Sequence, residues 1–129
     1  MSENITGGCL CGQVRFTIAD RPKLQLACHC SHCRKQSGAA FSISALVPND
    51  DIEFTGTTKT YLDTGDSGNE IPRVFCPNCG SPLYSVVAAR PDAIALKAGA
   101  IDNPDWFKPR VNLWTDSALP WVAIDPDCK

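Results

Sequence analysis

The stretch CHCSHCRK, residues 28–35, sets Cys28, Cys30 and Cys33 beside His29, His32, Arg34 and Lys35. Thiols at this spacing suit a thiophilic metal: a C-x-C on an extended strand sends both sulfurs to one face, and the turn after it can bring a third alongside. Two further groups share the character, CLC with Cys9 and Cys11, and CPNCG with Cys76 and Cys79 ahead of Gly80. Gly80 can take the left-handed conformation that lets two thiolates converge across a tight turn. Cys128 stands alone near the C-terminus, where a free thiol is expected.

Neither pair completes a tetrahedron, but Cys9, Cys11, Cys76 and Cys79 together make a closed four-cysteine zinc site. Such a site is structural, because its binding free energy is folding free energy. A redox C-x-x-C is the competing reading for Cys76 and Cys79, weakened because no helix in a βαβ pattern follows. Cys28, Cys30 and Cys33 supply three ligands from one strand and its turn. Left at three, the metal keeps a position for water or substrate; closed by His32 or Cys128, it becomes a second staple, and spacing alone leaves both open. His29 is a poor ligand candidate, since alternation turns its ring away from Cys28 and Cys30. Three thiolates on Zn2+ leave a net charge near −1, which Arg34 and Lys35 would partly offset.

The elements that must hold these thiols read as strands. Ten prolines and nine glycines cut the chain into short pieces, most of which alternate. Val14, Phe16 and Ile18 share a face; so do Leu24, Leu26, Cys28 and Cys30, opposite Gln25, Ala27 and His29. FSISALV, DIEFTG, KTYL, SPLYSVVAA and DAIALKAGAI supply further strands. Alternation breaks in SHCRKQSG, which predicts one short helical turn with Ser31 as N-cap and Gly38 as stop. Asp63–Glu70 is a polar, glycine-bearing loop of the kind that borders sites.

Composition narrows the function. A chain of 129 residues is the length of one domain, 1–129, with one core. A net charge of −2 with scattered cations gives no footprint for nucleic acid, and no run of about 18 apolar residues could span a membrane. The N-terminus lacks a signal-peptide pattern, so a reducing cytoplasm is expected, where eight cysteines read as metal ligands rather than disulfides.

GGCLCGQVRF, CHCSHCRKQSGAAF, RVFCPNCGSPLY and NLWTDSALPW resemble, in order and spacing, the motifs of the glutathione-dependent formaldehyde-activating (GFA) family, also called the centromere protein V/GFA group. The resemblance runs from Gly7 to about Trp121. It implies a mainly β fold, the β-tent, of short antiparallel strands. It implies two Zn2+ per chain, a structural one on Cys9, Cys11, Cys76 and Cys79 and a catalytic one on Cys28, Cys30 and Cys33, and it favours the open reading of the latter. The implied activity is that of a carbon–sulfur lyase joining glutathione and formaldehyde to S-(hydroxymethyl)glutathione. Two features depart from the family pattern: Asn112 in NLW, where many members have histidine, and the short tail VAIDPDCK.

An open zinc suits thiol activation, because coordination deprotonates a thiol that is otherwise near pKa 8.5. Arg34, Lys35 and Arg73 are candidate anchors for the carboxylates of a glutathione-like substrate, Arg34 foremost. His29 and His32 are candidate proton shuttles, or simply hydrogen-bond partners around the metal. Trp106, Trp114 and Trp121 could wall a pocket or belong to the core. The sequence thus predicts a zinc enzyme acting on thiol adducts of small aldehydes. The alternatives are a non-catalytic glutathione or thiol carrier and a two-zinc protein-interaction module.

Overall fold

Short alternating runs become short strands. A computed structural model describes residues 4–124. In chain order its elements are β1 (Ile5–Gly8), β2 (Arg15–Ile18), β3 (Leu24–Cys28), α1 (Ser31–Ser37), β4 (Ser42–Pro48), β5 (Ile52–Thr55), β6 (Lys59–Thr64), β7 (Glu70–Phe75), β8 (Pro82–Ser85), β9 (Ala93–Lys97) and β10 (Val111–Leu113). They form a three-stranded sheet, β1-β2-β5, and a seven-stranded sheet, β10-β3-β4-β9-β8-β7-β6. The mainly β expectation is met. Pairing is antiparallel throughout except that β10 lies parallel to β3.

The period of two sorts each strand of the large sheet into two faces. Ala45 and Val47 of β4 and Ile94 and Leu96 of β9 turn toward the small sheet, where they bury with Ile5, Phe16, Ile18 and Ile101. Each large aliphatic side chain so removed from water contributes about 1.5–3 kcal/mol. A second cluster buries Val14 and Leu83 with two of the first group of thiols, Cys9 and Cys76. The opposite face of the large sheet carries the other parity: Leu24, Leu26 and Cys28 of β3, Ser42, Ser44 and Leu46 of β4, Ala95 and Lys97 of β9. That face is the floor of a cavity.

Three local features differ from the sequence expectation. The helix is capped by Cys30, whose Sγ accepts from Cys33 N–H at 3.2 Å, and Ser31 is its first residue. Gly38 ends it in the left-handed conformation, φ 71°, as expected. Strand β7 contains Pro72, which has no N–H to give; its carbonyl still accepts from Val86 N–H at 3.0 Å, so the chain stays in the sheet. The three tryptophans do not cluster: Trp106 packs on the main core beneath Arg21, Trp114 borders the cavity, and Trp121 is exposed.

Candidate metal centres and the cavity

The first thiol group joins the loop after β1 to the turn between β7 and β8. Cys9 Sγ and Cys11 Sγ lie 3.5 Å apart, and Cys11 Sγ and Cys76 Sγ 3.7 Å. All four sulfurs, including that of Cys79, fall within 4.8 Å of one another. A tetrahedron of ~2.3 Å metal–sulfur bonds has edges of about 3.8 Å, so the sulfurs already stand at the spacing a zinc-sized ion requires. The local chain is built to hold them there. Val14 N–H donates to Cys9 Sγ, Gly80 N–H closes the turn onto Cys76 O at 2.8 Å, and Gly80 has φ 79°. Hydrogen bonding from Ser81 draws Cys79 down to about 5, the thiolate form a metal takes.

The second group stands at the end of β3 and in the first turn of α1. Cys28, Cys30 and Cys33 have their sulfurs within 4.8 Å of one another, and among the described residues no fourth histidine, cysteine or carboxylate joins them. His32, which could have closed the site, is turned elsewhere: its Nδ1 lies 3.0 Å from Asp63 Oδ2 and its Nε2 3.3 Å from Asp66 Oδ1. Cys128 lies outside the described residues. His29 points to the other face, as alternation requires. Its ring is buried, stacked on Phe41 with centroids 5.0 Å apart, and its Nε2 is 2.9 Å from Asn112 Oδ1.

The three thiols open onto a cavity of about 520 Å³. Two buried cations share its lining. Arg73, on β7, donates from Nε to Asp63 Oδ2 at 2.9 Å, and its Nη2 lies 4.0 Å from Cys33 Sγ. Lys97 donates from Nζ to Ser42 Oγ at 2.8 Å, and Ser42 is the cross-strand partner of Cys28. Neither Arg34 nor Lys35 lines the cavity. Each residue of a helix is turned about 100° from the last, and with Cys33 facing the cavity Arg34 and Lys35 fall on other sides. The buried cations that do line it are Lys97 and Arg73, and of these only Arg73 was a candidate from the sequence. The signal for Lys97 was a lone cation on the alternate face of AIALKA, a strand otherwise apolar on both faces.

These charges act on one another. Hydrogen bonding from Cys28 brings Cys33 down to about 5 against the opposing effect of burial, with Cys30 and the charges of Arg73 and Lys97 assisting. Cys28 is pushed up, by its hydrogen bond to Cys33 and by burial. Burial lowers the Lys97 ammonium, while the thiolates pull the other way. Burial would raise Asp63, but hydrogen bonds from Arg73 and His32 outweigh it and hold the carboxyl low. The same carboxylate raises His32. Asp63 and Asp66 lie in or beside the polar loop that the sequence marked as a site border, and Gly65, Asp66 and Ser67 do line the cavity.

A mainly β domain with two cysteine clusters able to hold metal, one set against the core through Cys9 and Cys76 and one facing a cavity, defines the class of protein. The family model for glutathione-dependent formaldehyde-activating enzymes matches residues 4–117, and the chain belongs to that family. A Podospora anserina protein named for glutathione-dependent formaldehyde activation is 36% identical over 126 residues, 92% of this chain and 59% of its own. A similarly named protein of Phaeosphaeria nodorum is 33% identical over 127 residues, 91% of this chain and 65% of its own. An uncharacterized lyase of Schizosaccharomyces pombe is 30% identical over 126 residues, 95% of this chain and 81% of its own. The chain thus spans about three fifths of the length of the first two. The crystal structure of a Rhodobacter sphaeroides protein shares the fold, with a TM-score of 0.62 at 21% identity over 81% of this chain and 96% of that one. Among the described residues no helix is long and apolar enough to cross a membrane.

Proposed function

We propose that the domain is a zinc-dependent carbon–sulfur lyase-like enzyme that makes and cleaves adducts between a small thiol, glutathione foremost, and formaldehyde or another small aldehyde. The observation that carries this reading is the three-thiol cluster of Cys28, Cys30 and Cys33 on the floor of a cavity that also holds two buried cations. The closed four-cysteine cluster is its structural counterpart. Zinc bound to Cys28, Cys30 and Cys33 would supply a Lewis acid that favours the thiolate form of a substrate thiol.

The chain's own residues do the rest. As the carbon–sulfur bond forms, the carbonyl π pair moves to oxygen and negative charge collects there. Lys97 spends one N–H on Ser42 and has two left to donate to that oxygen. The thiol gives up one proton and the adduct's hydroxyl takes one up, so the reaction is neutral in protons in either direction. Arg73, fixed by Asp63, holds its charge against Cys33 and keeps the cluster anionic without substrate contact of its own. His32, engaged by Asp63 and Asp66, positions the border loop.

The test is turnover of S-(hydroxymethyl)glutathione by the zinc-loaded protein. Cleavage above the spontaneous rate, lost in Cys33→Ser and reduced about 100-fold in Lys97→Met, is the expected result. Tight glutathione binding with no acceleration would make the protein a thiol carrier instead. Indifference to any thiol would leave only an interaction module.

A further inference from the structure

The two ends of the cavity differ in chemistry. Ser42 and Lys97 stand by the thiols, and His32, Asp66, Arg73 and Arg90 are the other charged lining residues; the rest is largely hydrocarbon, from Leu24 and Leu26 on β3, Leu46 on β4, Ile71 on β7, and Leu113 and Trp114 at the end of β10. Three of these stand in water at the mouth, Leu24 at 37%, Leu113 at 41% and Trp114 at 53% exposure. Trp114 is held there by a left-handed backbone, φ 58°, among the described residues the only non-glycine with positive φ. Such a conformation costs a bulky residue energy and persists where the surroundings impose it, often at ligand clamps. Converging apolar side chains at a cavity mouth mark a binding surface.

The polar groups of the lining point the same way. His32 is engaged by Asp63 and Asp66, Arg73 by Asp63 and Arg90 by Asp92. Lys97 alone among the lining cations has no carboxylate partner among the described residues, and it sits on the floor beside Ser42. One uncommitted cation leaves little of the wall to recognise charge, so contact energy above the floor has to come from hydrocarbon. Volume allows it. A cavity of ~150 Å³ holds benzene, and this one measures about 520 Å³, room for a six-carbon group beside atoms of the thiol.

We propose that the apolar wall seats a hydrocarbon substituent of about six carbons on the aldehyde-derived carbon of the adduct, so that the preferred partner of the thiol is an apolar aliphatic or aromatic aldehyde. This rests on the thiol-adduct reading of the site and adds the class of aldehyde to it. The reacting carbon lies over the thiols and Lys97, where Leu113 stands beside Cys28 and Trp114 follows it, and the substituent packs against these and runs along Leu26 toward Leu24 and Leu46.

The experiment is calorimetric titration of the zinc-loaded full-length protein with S-methylglutathione and S-hexylglutathione, unreactive thioethers that differ only in the alkyl group. Five added methylenes against a partly open wall should tighten binding about 100-fold. Trp114→Ala and Leu113→Ser should each narrow that ratio several-fold, whereas Leu62→Ala, exposed but not lining the cavity, should leave it as it is. Equal affinity for the two ligands, exclusion of the hexyl compound, or a ratio untouched by Trp114→Ala and Leu113→Ser would overturn the apolar-aldehyde proposal while leaving the thiol-adduct reading standing. Binding of neither ligand would overturn both.

Discussion

Arg73 Nε donates to Asp63 Oδ2 at 2.9 Å while its Nη2 lies 4.0 Å from Cys33 Sγ, so one buried guanidinium ties the border of the polar loop to the thiol cluster. Removing one partner of a buried ion pair strands the other charge. Arg73→Met should therefore lower stability by about 3 kcal/mol in urea unfolding of the zinc-loaded protein. It should also weaken metal retention at the second cluster, read as zinc per chain after dialysis against a competing chelator. Retention equal to wild type would show that Arg73 acts on the fold alone.

The two clusters should part company on mutation. Cys76→Ser removes a wholly buried thiol from the closed group and is expected to leave the chain largely unfolded at 25 °C, seen by loss of near-ultraviolet dichroism. Cys33→Ser should drop the metal content from two to one with the fold retained. A Cys33→Ser protein as disrupted as Cys76→Ser would mean that both clusters are staples.

Asn112 stands where the family resemblance leads one to expect histidine, and it faces away from the cavity. Its Oδ1 partners His29 Nε2, and His29 Nδ1 has no hydrogen-bond partner. Asn112→Ala would leave the buried ring with none and should cost about 1–3 kcal/mol in thermal or urea unfolding. The affinity for S-methylglutathione should stay within twofold. A large loss of affinity with unchanged stability would instead place Asn112 in substrate binding.

Asp102 holds the start of the chain to the turn after β9, accepting from Thr6 Oγ1 and from Arg15. Hydrogen bonding from Arg15 keeps its carboxyl below the usual range. A depressed carboxylate contributes stability that is fully present above its unfolded value, near pH ~3.9, and that is lost as pH falls through the lower folded value. The stability difference between wild type and Asp102→Asn should be constant from pH 7 to about 5 and shrink below about pH 4. A difference that grows on acidification would reverse the sign and refute the assignment.

The part of the site that lies along one strand was legible in the sequence, because a period of two assigns faces without knowledge of neighbours. Leu24, Leu26, Cys28 and Cys30 do share the cavity face, and His29 does turn away to the other side of the sheet. What the chain order conceals is which strands become adjacent. Lys97 reaches the thiols because β9 pairs with β4 and β4 with β3, and Arg73 because β7 comes in behind β8. Arg34 is next to Cys33 in sequence yet outside the cavity, since proximity along a helix is not proximity on a face. Strand β7 was hidden by Pro72, a residue that argues against an inner strand, and β10 by its length of three residues. At the helix start a serine is the common cap, but the adjacent cysteine sulfur had the better line to Cys33 N–H.

The closed thiol cluster spans the sequence: Cys11 and Cys76 are neighbours in space and 65 residues apart along the chain. During synthesis the first pair emerges long before the second, so metal can be held by all four only after most of the sheet has left the ribosome. Loop-closure entropy makes that late capture slow compared with a hairpin, though only logarithmically in length. A chain truncated before residue 79 therefore lacks the fourth thiol, and the group that could hold a metal is complete only once Cys79 is present.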